Sequence, residues 1–262
     1  VDFFLQGLAG ADLASPMQVL DLFQQYASSE AFADYVNVAA SRMVTGLAVE
    51  GAKTWREAAR KSMKGRLIYE SLRKEMQGPI GQLVYQLVDE NSKLISTFPE
   101  KISNQIAHFI QREQQKGRRA KDITQNLLQE FPDITAGRLR LIARTESSKA
   151  SSALIQARAE EVDLDWYVWH DSEDARVRYA HRKMSGVLIP WGQPPNPEKL
   201  FPQKGARAYG AYHAGCTFNC RCWSEVIVEP SQINWPHKVF WDGSIRQMSL
   251  YQWKLLARYK AA

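Results

Sequence analysis

All three cysteines of this 262-residue chain fall between positions 216 and 222, inside His213-Ala214-Gly215-Cys216-Thr217-Phe218-Asn219-Cys220-Arg221-Cys222. Crowding three thiols on one loop calls for a disulfide, a redox centre or a metal, and each restricts the fold around it. An odd count cannot pair fully within one chain, and so few cysteines fit a reducing compartment. The spacing favours a metal. If Cys220-Arg221-Cys222 is extended, as the following Trp223-Ser224-Glu225-Val226-Ile227-Val228 run suggests, side chains two apart share a face and Arg221 points away. Both sulfurs can then reach one ion.

Tetrahedral zinc, with bonds of about 2.3 Å to sulfur and about 2.0 Å to nitrogen, needs four donors. Cys216 and His213 are local candidates on a loop loosened by Gly215, and His181 is a distant one. His181, His213, Cys216, Cys220 and Cys222 thus compete for four positions. A closed site of this kind is structural, because a catalytic zinc keeps one position for water or substrate. Two other fates of the thiols stay open: burial without metal, and a disulfide from Cys216 to Cys220 or Cys222. His170 has no cysteine near it in sequence and reads as a packed or solvated histidine.

Hydrophobic residues at 45% and charged residues at 24% describe an ordinary folded protein. No apolar run approaches the roughly 20 residues of a transmembrane helix, so no membrane partner is expected. The start, Val1-Asp2-Phe3-Phe4-Leu5-Gln6, lacks the basic and then apolar regions of a signal peptide, so secretion is not indicated. Net charge is +6, and residues 101–160 hold eleven basic against six acidic side chains. Such a stretch can face nucleic acid or an acidic partner, but no DNA-binding motif accompanies it, and a solvated helical face explains it equally well.

From Pro16 to about Glu160 apolar residues recur at helical spacing. Pro16 suits a first turn, Ser28-Ser29 a cap, and Gly78-Pro79 a break in a long helical region through Met43, Trp55, Leu67 and Met76. Gly117 ends the helix carrying Ile102, Ile106, Phe109 and Ile110. Lys121–Phe131 reads as a short helix stopped by Pro132, with Thr135 capping the next, which ends near Asp163. Then the texture changes. Asp165–His170 and Val187–Ile189 read as strands, and Asp174–Met184 as a short helix on which Asp174, Arg178 and His181 share a face and Asp174 pairs with Arg178. Pro190 to about Tyr212 is a long proline-rich loop. Beyond Pro230 an exposed connector leads to an amphipathic helix, Ser244–Tyr259, with Ile245, Met248, Leu255, Leu256 and Tyr259 toward one side.

Four pieces in order then resemble a known family: Ala143-Arg144-Thr145-Glu146 in a long helix, Trp169 near a strand end, Asp174-x-Arg176-Val177-Arg178-x-x-His181 with Gly186, and His213 followed by Cys220-Arg221-Cys222. Over roughly residues 95–230 the chain is similar to the phage head morphogenesis family, the phage Mu F-like minor head proteins. The resemblance implies a minor head protein of a tailed phage, associated with the portal vertex and with head assembly, packaging or DNA ejection. It implies the portal and the major capsid or scaffolding proteins as partners, non-specific contact with packaged DNA, and a place in the capsid interior. Its histidine and cysteine positions fall on His181, His213, Cys216, Cys220 and Cys222 as a possible metal site. Many members have proline after the histidine, where this chain has Ala214. Arg144, Glu146, Asp174, Arg176 and Arg178 are its structural motif, with Arg144 tying its helix to the cysteine domain through a carboxylate such as Asp171 or Asp174.

The expected fold is α+β, a mainly helical N-terminal region followed by a small mixed α+β domain with a zinc-stabilised Cys/His site. The expected division is a helical docking region over 1–94, the Mu F-like domain over 95–230, and a connector with the terminal helix over 231–262. The leading expectation is a non-enzymatic virion protein. The alternative is a metal-dependent nuclease or an ADP-ribosyltransferase-like enzyme using His170, Asp171, His181 and Glu146, although no Gly-rich phosphate loop, His-Glu-x-x-His or nucleophile elbow is present.

Overall fold

The computed structural model describes residues 16–259. Helix α1 (Pro16–Ala27) opens on its proline, and α2 (Glu30–Arg60) follows after Ser29, whose hydroxyl accepts the N–H of Phe32 at 3.2 Å as a cap. Next come α3 (Gly65–Lys74), a 3-10 turn (Glu75–Gln77), α4 (Pro79–Ser96), α5 (Phe98–Gln115) and α6 (Ala120–Glu161). The break at Gly78-Pro79 is where the sequence put it. A second break, at residues 61–64, was not anticipated, and its cause is local: a Cβ on Gly65 would stand 2.1 Å from the carbonyl oxygen of Ala59, so only glycine closes this turn.

One expectation fails at Pro132. Residues 120–161 form a single helix of 42 residues, not two helices separated by that proline. An interior proline costs about 3 kcal/mol, but each side has its own buried anchors, Ile123 and Leu127 before it and Ala150 and Leu154 after it. The cap assigned to Thr135 and the side chain of Tyr259 lie outside the described residues.

The chain divides into two compact units, each discontinuous: residues up to Val44 with Gln86–Ala143, and Thr45–Tyr85 with Arg144 onward. In the first unit, Val19, Leu20 and Phe23 of α1 pack with Phe98, Ile102, Ile106, Phe109 and Ile110 of α5 and with Ile123 and Leu127 of α6. The carboxylate of Glu113, only 6% exposed, closes the end of α5 against Lys116 at 2.7 Å, Arg118 at 2.9 Å and Arg112 at 3.6 Å.

The second unit holds the sheet. Its strands are β1 (Trp166–His170), β2 (Leu188–Pro190), β3 (Trp223–Val226), β4 (His237–Trp241) and β5 (Ser244–Met248), in the order β3-β1-β2-β4-β5. The β2–β4 pair is parallel and the others antiparallel. Strand alternation sends Tyr167 and Trp169 into a core with Trp55 of α2, Ile68 of α3, Met184 and the two buried cysteines. Trp166 and Val168 enter a second core on the opposite face with Val239, Met248 and Trp253. Two short helices, α7 (Tyr179–Met184) and α8 (Pro197–Leu200), lie between strands, and α9 (Leu250–Tyr259) ends the fold.

The exposed connector and long terminal helix expected beyond Pro230 are a correction. That segment supplies β4 and β5, paired from His237 opposite Met248 to Trp241 opposite Ser244, and only then a helix. Ile245 and Met248 are therefore strand residues. Trp253 is buried and Leu250 and Leu256 pack beside it, whereas Leu255 is exposed. The turn at Asp242-Gly243, both at positive φ, is the hairpin signal that the periodicity reading passed over. Among the described residues no helix is long and apolar enough to cross a membrane.

Candidate metal centre

Helix α6 anchors the cysteine loop through the Arg-Thr-Glu segment and the turns that follow it. The hydroxyl of Thr145 accepts the backbone N–H of Asn219 at 3.0 Å, and Arg144 Nη1 donates to Asn219 Oδ1 at 3.2 Å. Two turns further, Ser152 donates to the carbonyl of Ala214 at 2.8 Å. Arg144 thus ties helix to loop as expected, but through an amide and not through Asp171 or Asp174. Glu146 faces Lys149 at 2.9 Å on its own helix. Two backbone devices hold the loop's shape: Asn219 at φ 51° and Gly215 at φ 85°.

Asp174 braces the loop from the other side. Its carboxylate takes a two-pronged grip from Arg221, Nη1 to Oδ2 and Nη2 to Oδ1, and accepts the N–H of Arg176 at 2.8 Å. The guanidinium of Arg221 holds the Asp174 carboxyl down at about 2, with the Arg176 N–H assisting. The predicted Asp174–Arg178 helical pair does not form. Arg178 is extended at φ −59° and ψ 145°, so α7 starts only at Tyr179. Arg178 instead donates to the carbonyl of Phe218 and lies over the ring of Tyr209, 4.7 Å from its centroid. Arg176 is exposed, 3.9 Å from Asp174.

These braces bring Cys220 and Cys222 to His181. The three donor atoms lie within 4.8 Å of one another and all three residues are buried. His181 Nδ1 stands 3.3 Å from Cys222 Sγ and 3.5 Å from Cys220 Sγ. The alternation read from sequence, two sulfurs inward and Arg221 outward, is what the geometry displays. On its far side, His181 Nε2 is 2.9 Å from the hydroxyl of Tyr212, which donates to Glu198 Oε1 at 2.7 Å. Because that hydroxyl proton goes to Glu198, Nε2 must carry the ring proton, which leaves the lone pair of Nδ1 facing the sulfurs. A ligating histidine fixed by a hydrogen-bonded partner on its other nitrogen is the common arrangement in metal sites. Tyr212 and Glu198 were missed from sequence. The Asn196-Pro197-Glu198 helix start, with Asn196 accepting the N–H of Lys199, was the signal available for Glu198.

A hydrogen bond from Cys222 lowers the Cys220 thiol. Cys222 is raised by that same bond and by burial, so the two sulfurs compete for the proton between them. A cation would replace the shared proton. One imidazole and two thiols form a donor set suited to zinc.

His213 and Cys216 are not in this group. His213 Nδ1 meets the hydroxyl of Tyr167 at 3.0 Å, and burial drives the ring's pKa down to about 4. Cys216 Sγ donates to Ser152 Oγ at 3.1 Å, and burial pushes its thiol up. Among the described residues the cluster therefore has three donors, not four. Of the residues of the enzymatic alternative, His170 Nε2 is 2.7 Å from Glu225 with its ring stacked on Trp223, and Asp171 accepts the N–H of Glu173 at 2.7 Å.

Comparison with known proteins adds three findings. Residues 103–225 match the family described as phage Mu protein F like protein. An uncharacterized protein of Haemophilus influenzae is 26% identical over 220 residues, 84% of this chain and 45% of that protein, so the chain spans about half the length of this relative. No solved structure matches significantly. The matched segment holds the Arg-Thr-Glu turn, the His181 helix and the whole cysteine loop, so the part of the chain that carries the centre is the part similar to the phage Mu F-like family.

Proposed function

We propose that this chain is a minor head protein of a tailed bacteriophage that acts by binding, with a zinc ion cross-linking its cysteine loop to the His181 helix. The observation that carries the reading is the buried His181–Cys220–Cys222 cluster inside the family-matched segment. Zinc bound there would supply no reaction step. It would fix a loop that has little regular structure of its own, which is how structural zinc contributes to folding. The similarity of residues 103–225 to the phage Mu F-like family supports a role in head morphogenesis. Its partners on this reading are the portal and neighbouring capsid or scaffolding proteins, inside the virion, with packaged DNA touching the basic stretch over residues 101–160 only non-specifically.

The test begins with metal analysis of the purified protein, alone and with Cys220→Ser and Cys222→Ser. About one zinc per chain is expected, lost in both variants together with thermal stability. No metal, with unchanged stability, would overturn the zinc reading. Co-sedimentation of the zinc-loaded protein with portal assemblies then tests the binding role, and failure to sediment with portal or capsid shells sinks it independently of the metal result.

A further inference from the structure

Strand β3 is an edge of the sheet, paired only with β1. Ile227 donates to the carbonyl of Trp166 at 3.0 Å, which sets the antiparallel alternation: Glu225 and Trp223 bond inward to β1, and Ser224 and Val226 turn their N–H and C=O outward. The outward N–H groups on either side are already taken. Val228 donates to Gln232 Oε1 at 2.7 Å and Cys222 to Cys220 Sγ at 3.4 Å. The open edge is therefore a short window centred on Ser224 and Val226, with no partner among the described residues.

A cavity of about 480 Å³ runs along this window. Trp223, Ser224, Glu225 and Val226 all line it. Consecutive strand residues point to opposite faces, so four in a row can share one cavity only if it follows the strand's edge. The opposite wall is helical and largely apolar, including Leu47 and Trp55 of α2 and Leu154 and Ile155 of α6. Ser224, 5% exposed, lines the cavity, and its buried hydroxyl has no hydrogen-bond partner among the described residues. Such a buried hydroxyl is costly unless something supplies a bond. Two exposed carboxylates also line the cavity, Glu50, paired with Lys53 at 2.9 Å, and Glu225, 2.7 Å from His170 Nε2. The guanidinium of Arg158, the cavity's one cation, is already committed to Glu75 and the carbonyl of Ala48.

We infer that this groove accepts an extended segment of a partner protein as a sixth strand beside β3, with apolar side chains toward α2 and α6 and lysine or arginine at its flanks. Main-chain bonds at Ser224 and Val226 would give affinity, and the side-chain pockets and the two carboxylates would give selectivity. A second copy of the chain is disfavoured as occupant, because edge-to-edge pairing would bring two Glu225 side chains together. The inference goes beyond the metal and virion readings and depends on neither.

The experiment uses the full chain and a fluorescein-labelled peptide, acetyl-Lys-Val-Ala-Val-Ala-Lys-amide, followed by anisotropy and by hydrogen exchange at the Ser224 and Val226 amides. Saturable binding with protection of both amides is expected. N-methylation of alternate peptide nitrogens should weaken it at least about tenfold, the scale of one or two lost hydrogen bonds. Glu50→Lys with Glu225→Lys, both at exposed positions, should weaken the lysine-flanked peptide similarly and shift preference to a glutamate-flanked one. No saturable binding, equal binding of the N-methylated peptide, or indifference to charge reversal would each overturn the inference.

Discussion

The helical core of the first unit and the cysteine–histidine centre of the second are held by opposite means. Ile102, Ile106, Phe109 and Ile110 reach their core by helical spacing alone, and their partners on α1 and α6 are aliphatic or aromatic side chains with no directional demand. At the centre nothing is repetitive. His181, Cys220 and Cys222 meet only because Asn219 is pinned to α6, Ala214 to Ser152, and Arg221 to Asp174, each through hydrogen bonds between residues far apart in sequence. The first region tolerates swaps of similar volume; the second depends on particular atoms. The contrast separates bulk burial from positioned chemistry, and substitutions in each region should behave differently.

The largest of these effects is expected in the helical core. Ile102 is fully buried, and Ile102→Ala should cost about 3 kcal/mol through lost burial and a residual cavity. Urea unfolding gives the magnitude, and native-state hydrogen exchange gives the location. Amides of α5 should lose protection while those of β1 keep theirs. Equal loss in both would show that the two units open as one, and the contrast would fail.

The next effect belongs to the second unit and depends on pH. Burial lowers His213 from 6.5 to about 4, so the ring stays neutral in the folded protein where the unfolded chain would protonate it. The unfolded state therefore binds the extra proton, and stability is complete above about pH 6.5 and falls as pH drops toward 4, with a slope of at most about 1.4 kcal/mol per pH unit. The check is the His213 ring resonance through an NMR titration, together with the slope of stability against pH in His213→Gln. A ring that titrates near 6.5, or an unchanged slope in the variant, would remove this residue from the account of acid sensitivity.

The same contrast explains what could be read from the sequence. Apolar spacing located α1, α5 and the strands β1 and β2, and the pairing of Cys220 with Cys222 followed from strand alternation. The choice of His181 over His213 did not, because it depends on Tyr212 and Glu198 occupying one ring nitrogen and on Tyr167 claiming the other histidine. The partner of Arg144 was misjudged for a related reason. A carboxylate is the stronger partner for arginine in general, but Asp174 was already engaged by Arg221, a competition visible only in three dimensions. The β4–β5 hairpin was lost because its alternation is half exposed and mimics a helical stripe.

The smallest effect separates conformational cost from packing cost at the centre itself. Gly215 and Gly210 have nearly the same backbone, φ 85° and 84°. A Cβ on Gly210 meets nothing within 4 Å, whereas one on Gly215 stands 3.1 Å from the carbonyl oxygen of Cys222 and 3.1 Å from the hydroxyl of Ser148. Gly210→Ala should therefore show only the left-handed penalty, about 1 kcal/mol. Gly215→Ala adds crowding against the backbone that carries Cys222, for a total of about 2 kcal/mol. Because that crowding acts on a candidate ligand's own carbonyl, Gly215→Ala should also weaken zinc retention in a chelator competition, and Gly210→Ala should not. Equal stability losses with equal zinc retention would mean that the loop relaxes freely around position 215 and that the centre is not held as rigidly as its hydrogen bonds imply.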